Sequence, residues 1–262
     1  MGFVRLQTGL GPTQGVSMKF RAAFATPFLV TVLISPAFAE GMNLSWNDCG
    51  EFGSKNQQFD CASNSGVPFT LIGSFIPPAG VNEFLGISAT IDLFGSFATL
   101  PDWWRHGTTQ CRGTSGLSVS FDFTSGPFGC ADFYQGQAAG GFAYDIGTPA
   151  PNHARLRIQA AVPFDNRGPV DPNVEYDAFK VNLLRSKSTG AGACEGCQTA
   201  MCISLDAIQL FQPPDANNDP VITNPIVLNF ATWQLPTTGP PGCPVTTPTR
   251  NQTWGRVKSL YR

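Results

Sequence analysis

Eight cysteines offer the densest reactive chemistry in this chain: Cys49, Cys61, Cys111, Cys130, Cys194, Cys197, Cys202 and Cys243. The run Cys194-x-x-Cys197-x-x-x-x-Cys202 has a spacing at which thiolates converge on zinc or iron, with Cys243 or a histidine as fourth ligand. The Cys-x-x-Cys pair also suits redox chemistry, but no strand-to-helix redox motif surrounds it. All eight follow an export-type leader and their number is even, so disulfides are the favoured use. Roughly a hundred pairings are open to eight cysteines. Cys49 with Cys61 and Cys111 with Cys130 are the expected local bridges, and the other four stay unassigned.

Aromatic residues beside turn signals are the next group. In Leu100-Pro101-Asp102-Trp103-Trp104-Arg105, two adjacent indoles on an extended segment point to opposite faces, so one is free to stack on a sugar ring or a partner. Phe133 and Tyr134, flanked by Asp132 and Gln135 in the glycine-rich stretch 130–141, form a second aromatic platform. Trp103, Trp104, Phe133 and Tyr134 are therefore the candidate ligand contacts.

Oxygen ligands recur at Asp215, Asn217 and Asp219, the first three positions of a calcium loop. The EF-hand pattern then fails, because Pro220 replaces the turn glycine and Ile226 the bidentate Glu. What remains is a structural calcium in a sandwich loop, joined by Asp171 and Glu175, set against an ordinary polar turn; no other cofactor is indicated. Support for catalysis is thin. His106 and His153 stand beside turn-like segments, and neither a Gly-x-Ser-x-Gly elbow nor a His-Glu-x-x-His helix occurs. Asp92 and Asp122 are the carboxylates to consider for glycoside hydrolysis, with solvent-facing strand positions as the plainer reading. Asn43-Leu44-Ser45 and Asn251-Gln252-Thr253 match the glycosylation sequon.

The elements that must position these residues show a period of two. Leu85, Ile87, Ala89, Ile91 and Leu93 alternate with small or polar residues, as do Leu117 to Phe123 and Leu156 to Val162. Shorter sets are Phe69 to Phe75, Phe179 to Leu183 and Ile226 to Phe230. Between Ile203 and Leu210 the apolar parity reverses, which calls for a bulge near Asp206 or Ala207. Turn signals such as Pro77-Pro78-Ala79-Gly80 and Asn217-Asn218-Asp219-Pro220 separate the runs. No stretch keeps helical spacing. The expectation is an all-β, disulfide-stabilised antiparallel β-sandwich of jelly-roll kind with seven to ten strands.

Composition bounds the function. Charged residues make up 13% of the chain, against about 25% in an average soluble protein, which excludes a coiled coil or charge-rich tail as the main body. Met18, Lys19 and Arg21, the apolar run 22–34 and Ala37-Phe38-Ala39 form a secretory leader, cleaved after Ala39; residues 1–17 read as an upstream start. One sandwich domain over 40–235 follows, then a proline-rich linker and basic tail over 236–262. In that tail, Trp254, Val257 and Tyr261 sit at helical offsets behind a Thr253 cap. Loss of the leader removes Arg5, Lys19 and Arg21 and no carboxylate, so the body is acidic and repels nucleic acid. No apolar run approaches a bilayer span.

The Cys194-Glu195-Gly196-Cys197 segment ahead of Cys202-Ile203-Ser204-Leu205, and the ending Thr253-Trp254-Gly255-Arg256-Val257-Lys258-Ser259-Leu260-Tyr261-Arg262, resemble a group of exported, cysteine-rich β-sandwich proteins of environmental bacteria. That resemblance implies an exported bacterial protein and adds neither an activity nor a site residue. The functional expectation is a secreted, non-catalytic binding module with carbohydrate as first ligand. A cell-surface assembly subunit and an extracellular polysaccharide hydrolase are the alternatives.

Overall fold

The computed structural model describes residues 39–126, 128–216, 218–227, 229–234 and 243, all within the compact unit Ala37–Arg262. The leader, Asn217, Leu228, most of the 236–262 tail with its Thr253-capped segment, and the Asn251 sequon lie outside the described residues. Eleven strands occur among the described residues: β1 Gly41–Trp46, β2 Asn56–Gln57, β3 Phe69–Ile76, β4 Gly86–Phe94, β5 Leu117–Ser120, β6 Ala139–Ile146, β7 His153–Ala161, β8 Tyr176–Leu183, β9 Met201–Phe211, β10 Val221–Ile222 and β11 Phe230–Trp233. They form one sheet in the order β1-β3-β8-β5 and a second in the order β2-β11-β9-β4-β7-β6, with β10 added beside β9. Every pairing is antiparallel except the short β2–β11 contact. The protein is a disulfide-stabilised antiparallel β-sandwich of jelly-roll kind.

Period-two patterning places the core as expected. Ile87, Ala89, Ile91 and Leu93 of β4 pair with Ala160, Ile158, Leu156 and Ala154 of β7, and all eight are buried between the sheets. The parity reversal in β9 is a bulge at Asp206: Thr90 pairs with Ala207 and Ile91 with Leu205, leaving Asp206 as the extra residue.

The first sheet departs from simple alternation. All of β1 and β3 is buried, on both faces, because the segment 47–58 and the loop 121–130 cover the outer side. Lys55 Nζ donates to Leu44 O (2.9 Å), Ser45 Oγ donates to Asp48 O (3.0 Å) and Lys180 Nζ donates to Ser125 O (3.0 Å), tying that cover down. The polar outward residues Asn43, Ser45 and Ser74 thus hide beneath protein; β1 does alternate, Met42, Leu44 and Trp46 with Gly41, Asn43 and Ser45, but over only three apolar positions, and it was not among the strands expected from the sequence. Asn43 is fully buried and its Nδ2 donates to Glu175 Oε1 (2.7 Å), so that sequon offers no acceptor surface.

Three further boundaries differ from expectation. The run 117–123 leaves the sheet after Ser120, because Asp122 Oδ1 accepts the N–H groups of Thr124 (2.8 Å) and Ser125 (3.1 Å) and turns the chain. The stretch read as a glycine-rich loop becomes β6 from Ala139. Among the described residues the last strand is Phe230–Trp233, not a run from Ile226.

All eight cysteines are bridged: Cys49–Cys130, Cys61–Cys197, Cys111–Cys194 and Cys202–Cys243. Disulfide use holds and the metal knuckle is excluded, but both expected local pairs are wrong. The sandwich folds segments 81, 136 and 83 residues apart onto one another, and these remote loops, not sequence neighbours, supply the partners. In the chain-entropy model a loop near 100 residues gives about 4.7 kcal/mol, more than a short local one. Cys243 ties the proline-rich segment back to β9 beside Phe230 and Phe94.

Candidate functional site

Trp103 and Trp104 are fully buried, which withdraws them as ligand contacts. They lie in a 3₁₀ turn, Asp102–Trp104, not in a strand. Successive side chains in such a turn diverge by about 120°, so both rings enter the core, where strand geometry would have sent one outward. Their centroids are 5.0 Å apart and each packs on Trp233, at 4.9 and 5.2 Å. The Arg112 guanidinium lies 4.0 Å above Trp103.

The second platform forms part of an open groove. A turn at 132–136 is set by Asp132, whose Oδ2 accepts the Gly136 N–H (2.8 Å), while Gln135 and Gly136 take positive φ. This drives Tyr134 inward, where its hydroxyl donates to Ala178 O (3.1 Å) and burial pushes its phenol pKa up. Tyr134 is only 3% exposed, so it supports the floor instead of stacking on a ligand as expected. Phe133 stays half-buried, leaning on Phe84 at 5.4 Å and Tyr176 at 4.9 Å.

Opposite stands the loop 163–170, held by Phe84 N–H to Gly168 O (2.8 Å) and by the ion pair of Arg167 with Glu83 (3.1 Å). Asn166 Nδ2 donates to Gln137 Oε1 and joins the two loops. The resulting groove of about 370 Å³ has Phe84, Phe133 and Tyr134 at its base and Gln135, Gln137, Asp165 and Asn166 at its rim. Sequence reading found Phe133, Tyr134 and Gln135. It missed Phe84, Gln137, Asp165 and Asn166, because Asp165-Asn166-Arg167-Gly168-Pro169 carried only a turn signal and nothing local announced which loop it would face.

The remaining candidates do not assemble. Asp219 Oδ1 accepts the Gln212 N–H (2.9 Å) and Asp215 is exposed; Asn217 lies outside the described residues. Among the described residues no third Asp, Glu, His or Cys gathers with these two acids. Asp171 Oδ1 accepts from Asn173 instead (2.8 Å), and Glu175 is held beneath Asn43 and Ser74.

Asp92 lies on β4 of the second sheet, whereas Asp122 lies in the turn that follows β5 of the first. Asp92 is clamped by Arg155 through two 2.7 Å bonds on the outer face of β4, and Asp122 is occupied by its own turn. The carboxylate that does meet Asp92 is Asp206 at the bulge, pushed up to about 6 by burial. Arg155 already balances one charge of that pair, that of Asp92.

His106 is 5% exposed, with neither ring nitrogen hydrogen-bonded, and burial followed by the charge of Arg112 lowers it to about 3. His153 stacks on Phe94 at 5.1 Å. Neither faces the groove.

No family model matches the chain, and no curated protein matches it. Among solved structures, the cohesin module of a family 33 glycoside hydrolase from Clostridium perfringens is 10% identical and has a TM-score of 0.34, the alignment covering 74% of this chain and 92% of that one. The sixth cohesin of scaffoldin B from Acetivibrio cellulolyticus, solved with a Cel5 dockerin mutant, is 9% identical with a TM-score of 0.31, covering 75% and 99%. The seventh ScaB type I cohesin of Pseudobacteroides cellulosolvens is 7% identical with a TM-score of 0.28, covering 76% and 95%. At these identities and scores the fold assignment rests on this chain's own strand pairing.

Proposed function

We propose that this chain is an exported, non-catalytic β-sandwich module that binds carbohydrate in the groove between 131–138 and 162–170. Four disulfides that use every cysteine suit an oxidising compartment and support export. The observation that carries the ligand is the pairing of a half-buried Phe133 that lines the groove with three exposed amides, Gln135, Gln137 and Asn166. Aromatic faces take the C–H side of a sugar, and amides both donate to and accept from its hydroxyls. A single carboxylate, Asp165, lines the groove, whereas glycoside hydrolysis uses two. Glycan-array binding followed by calorimetry tests this. Gln135→Ala with Asn166→Ala is expected to weaken affinity on the order of tenfold, since each lost polar contact is worth about 0.5–1.5 kcal/mol. A flat array response overturns the carbohydrate reading.

A second reading, a cell-surface assembly subunit, is favoured by β6. Its eight residues pair with β7 without a bulge, and no other strand among the described residues pairs with it. Its first five residues are exposed, Phe142 at 41%, and it contains neither Lys nor Pro, the usual guards of an open edge. Concentration-dependent growth in light scattering that Ala143→Pro abolishes supports assembly through this edge. A monomer at all concentrations ends that reading.

A further inference from the structure

The four bridges are unequal. Cys61, Cys197, Cys194, Cys202 and Cys243 are each at most 8% exposed, so three bridges have at least one sulfur shut away from solvent. Both Cys49 and Cys130 are half-exposed. They join the two covers of the first sheet, 47–58 and 121–130. Against them lies a third group: the Sγ atoms of Cys49 and Cys130 and a carboxylate oxygen of Asp177 all lie within 4.8 Å of one another. With both sulfurs bridged this is no metal site. Asp177, on β8, is 8% exposed and accepts the backbone N–H of Gly50, the residue after Cys49. The buried acid therefore sits at the Cys49 end of an accessible disulfide.

We propose that Cys49–Cys130 is an exchangeable disulfide serving thiol–disulfide exchange with a dithiol, and that Asp177 protonates Cys49 as it leaves. A thiolate of the dithiol attacks Cys130 Sγ, the Cys49–Cys130 bond breaks, and a mixed disulfide forms on Cys130. The electron pair of the broken bond stays on Cys49 sulfur, which takes the Asp177 proton. The second thiol, after losing its proton to water, attacks the mixed disulfide; Cys130 leaves and is protonated by water. The dithiol is oxidised to a disulfide and the cystine is reduced to two thiols, a transfer of two electrons.

The surroundings suit this role. Asp177 is raised to about 7 by burial first, then by the carboxylates of Glu175 and Asp48, with the Gly50 N–H opposing. Asp177 therefore still holds a proton in a sizeable fraction of molecules near pH 7, where an ordinary carboxyl has released it. Lys55, from the covering segment, faces Glu175. Ionised Asp177 would repel both the incoming and the departing thiolate, so the same group assists below its pKa and obstructs above it. Opening the bridge also unties the two covers above Asn43, Ser45 and Glu175.

The full chain is treated with dithiothreitol under native conditions, and bridges are counted by alkylation and mass spectrometry. Cys49–Cys130 is expected to open first, with the other three intact. Its second-order rate constant, normalised to thiolate concentration, is expected to fall on the order of tenfold from pH 6 to pH 8. Asp177→Asn is expected to remove that pH dependence, and Glu175→Gln to shift its midpoint to lower pH while keeping it. Four bridges opening together overturn the exchangeable disulfide. A flat wild-type profile, or one unchanged in Asp177→Asn, overturns the role of Asp177.

Discussion

Replacing Trp233 by alanine is expected to lower the unfolding free energy by about 3–5 kcal/mol, the range for truncating a large buried aromatic. Trp233 is fully buried near the end of β11, and five rings meet it: Phe59 at 4.4 Å, Phe69 and Trp103 at 4.9 Å, Trp104 at 5.2 Å and Trp46 at 5.8 Å. Those rings come from β1 and β3 of the first sheet, from Phe59 just after the covering segment and from the 3₁₀ turn, while Trp233 itself belongs to the second sheet, so the void left by alanine would open where these separate elements converge. No one neighbour can fill it by rotating. The indole N–H also donates to Cys197 O (2.7 Å), and that carbonyl would keep only the longer bond from Gln234 Nε2 (3.3 Å). A domain of this size holds about 5–15 kcal/mol in total, so the variant retains a fraction of its stability or none. Trp233→Phe keeps most of the ring volume and should cost clearly less. Guanidinium denaturation measures both; an alanine variant within 1 kcal/mol, roughly, of wild type would show that the ring cluster is not the stabilising centre.

The same cluster explains what was and was not legible in the sequence. Strands buried on one face, such as β4 and β7, carry their alternation openly, and even the bulge at Asp206 appears as a parity change. β1 and β3 are covered on both faces; β3 showed only the weaker Phe69 to Phe75 set, and the Met42, Leu44 and Trp46 alternation of β1 was legible but too short to be picked out. Trp103 and Trp104 misled because local spacing cannot distinguish an extended segment from a 3₁₀ turn, and that difference decides whether the second ring points to solvent or core.

Disulfide partners and groove-lining residues failed for a related reason. Cys61 finds Cys197 and Gln137 finds Asn166 through sheet topology, which composition does not encode. Phe133 was found because its own turn, set by Asp132, Gln135 and Gly136, is local chemistry.

Asp177→Asn is expected to stabilise the protein at pH 7.5 and to leave it nearly unchanged at pH 4. In the folded chain burial and the neighbouring Glu175 and Asp48 raise Asp177 to about 7, whereas the unfolded carboxyl returns to its ordinary value of 3.8. Between those two values the folded state holds a proton that the unfolded state has released. Stability associated with the neutral carboxyl is therefore fully present below the unfolded value and drains away as pH rises through about 7. Asparagine keeps the shape and cannot ionise. Each tenfold difference in proton affinity between the folded and unfolded chain is worth about 1.4 kcal/mol, so the gain at pH 7.5 is on the order of a few kcal/mol. Asp206, raised to about 6, titrates equally in both proteins and cancels from the difference. The upper limit is set by Lys55, which burial lowers to about 8 and which would start to lose its proton beyond it. Chemical denaturation of wild type and variant at pH 4, 5.5 and 7.5 gives the comparison, and a stability difference that does not grow with pH would place Asp177 in a more solvated, ordinary setting. A difference that does grow with pH means that the native carboxylate is retained at a cost in stability, in keeping with a residue kept for the chemistry of the Cys49–Cys130 bridge beside it.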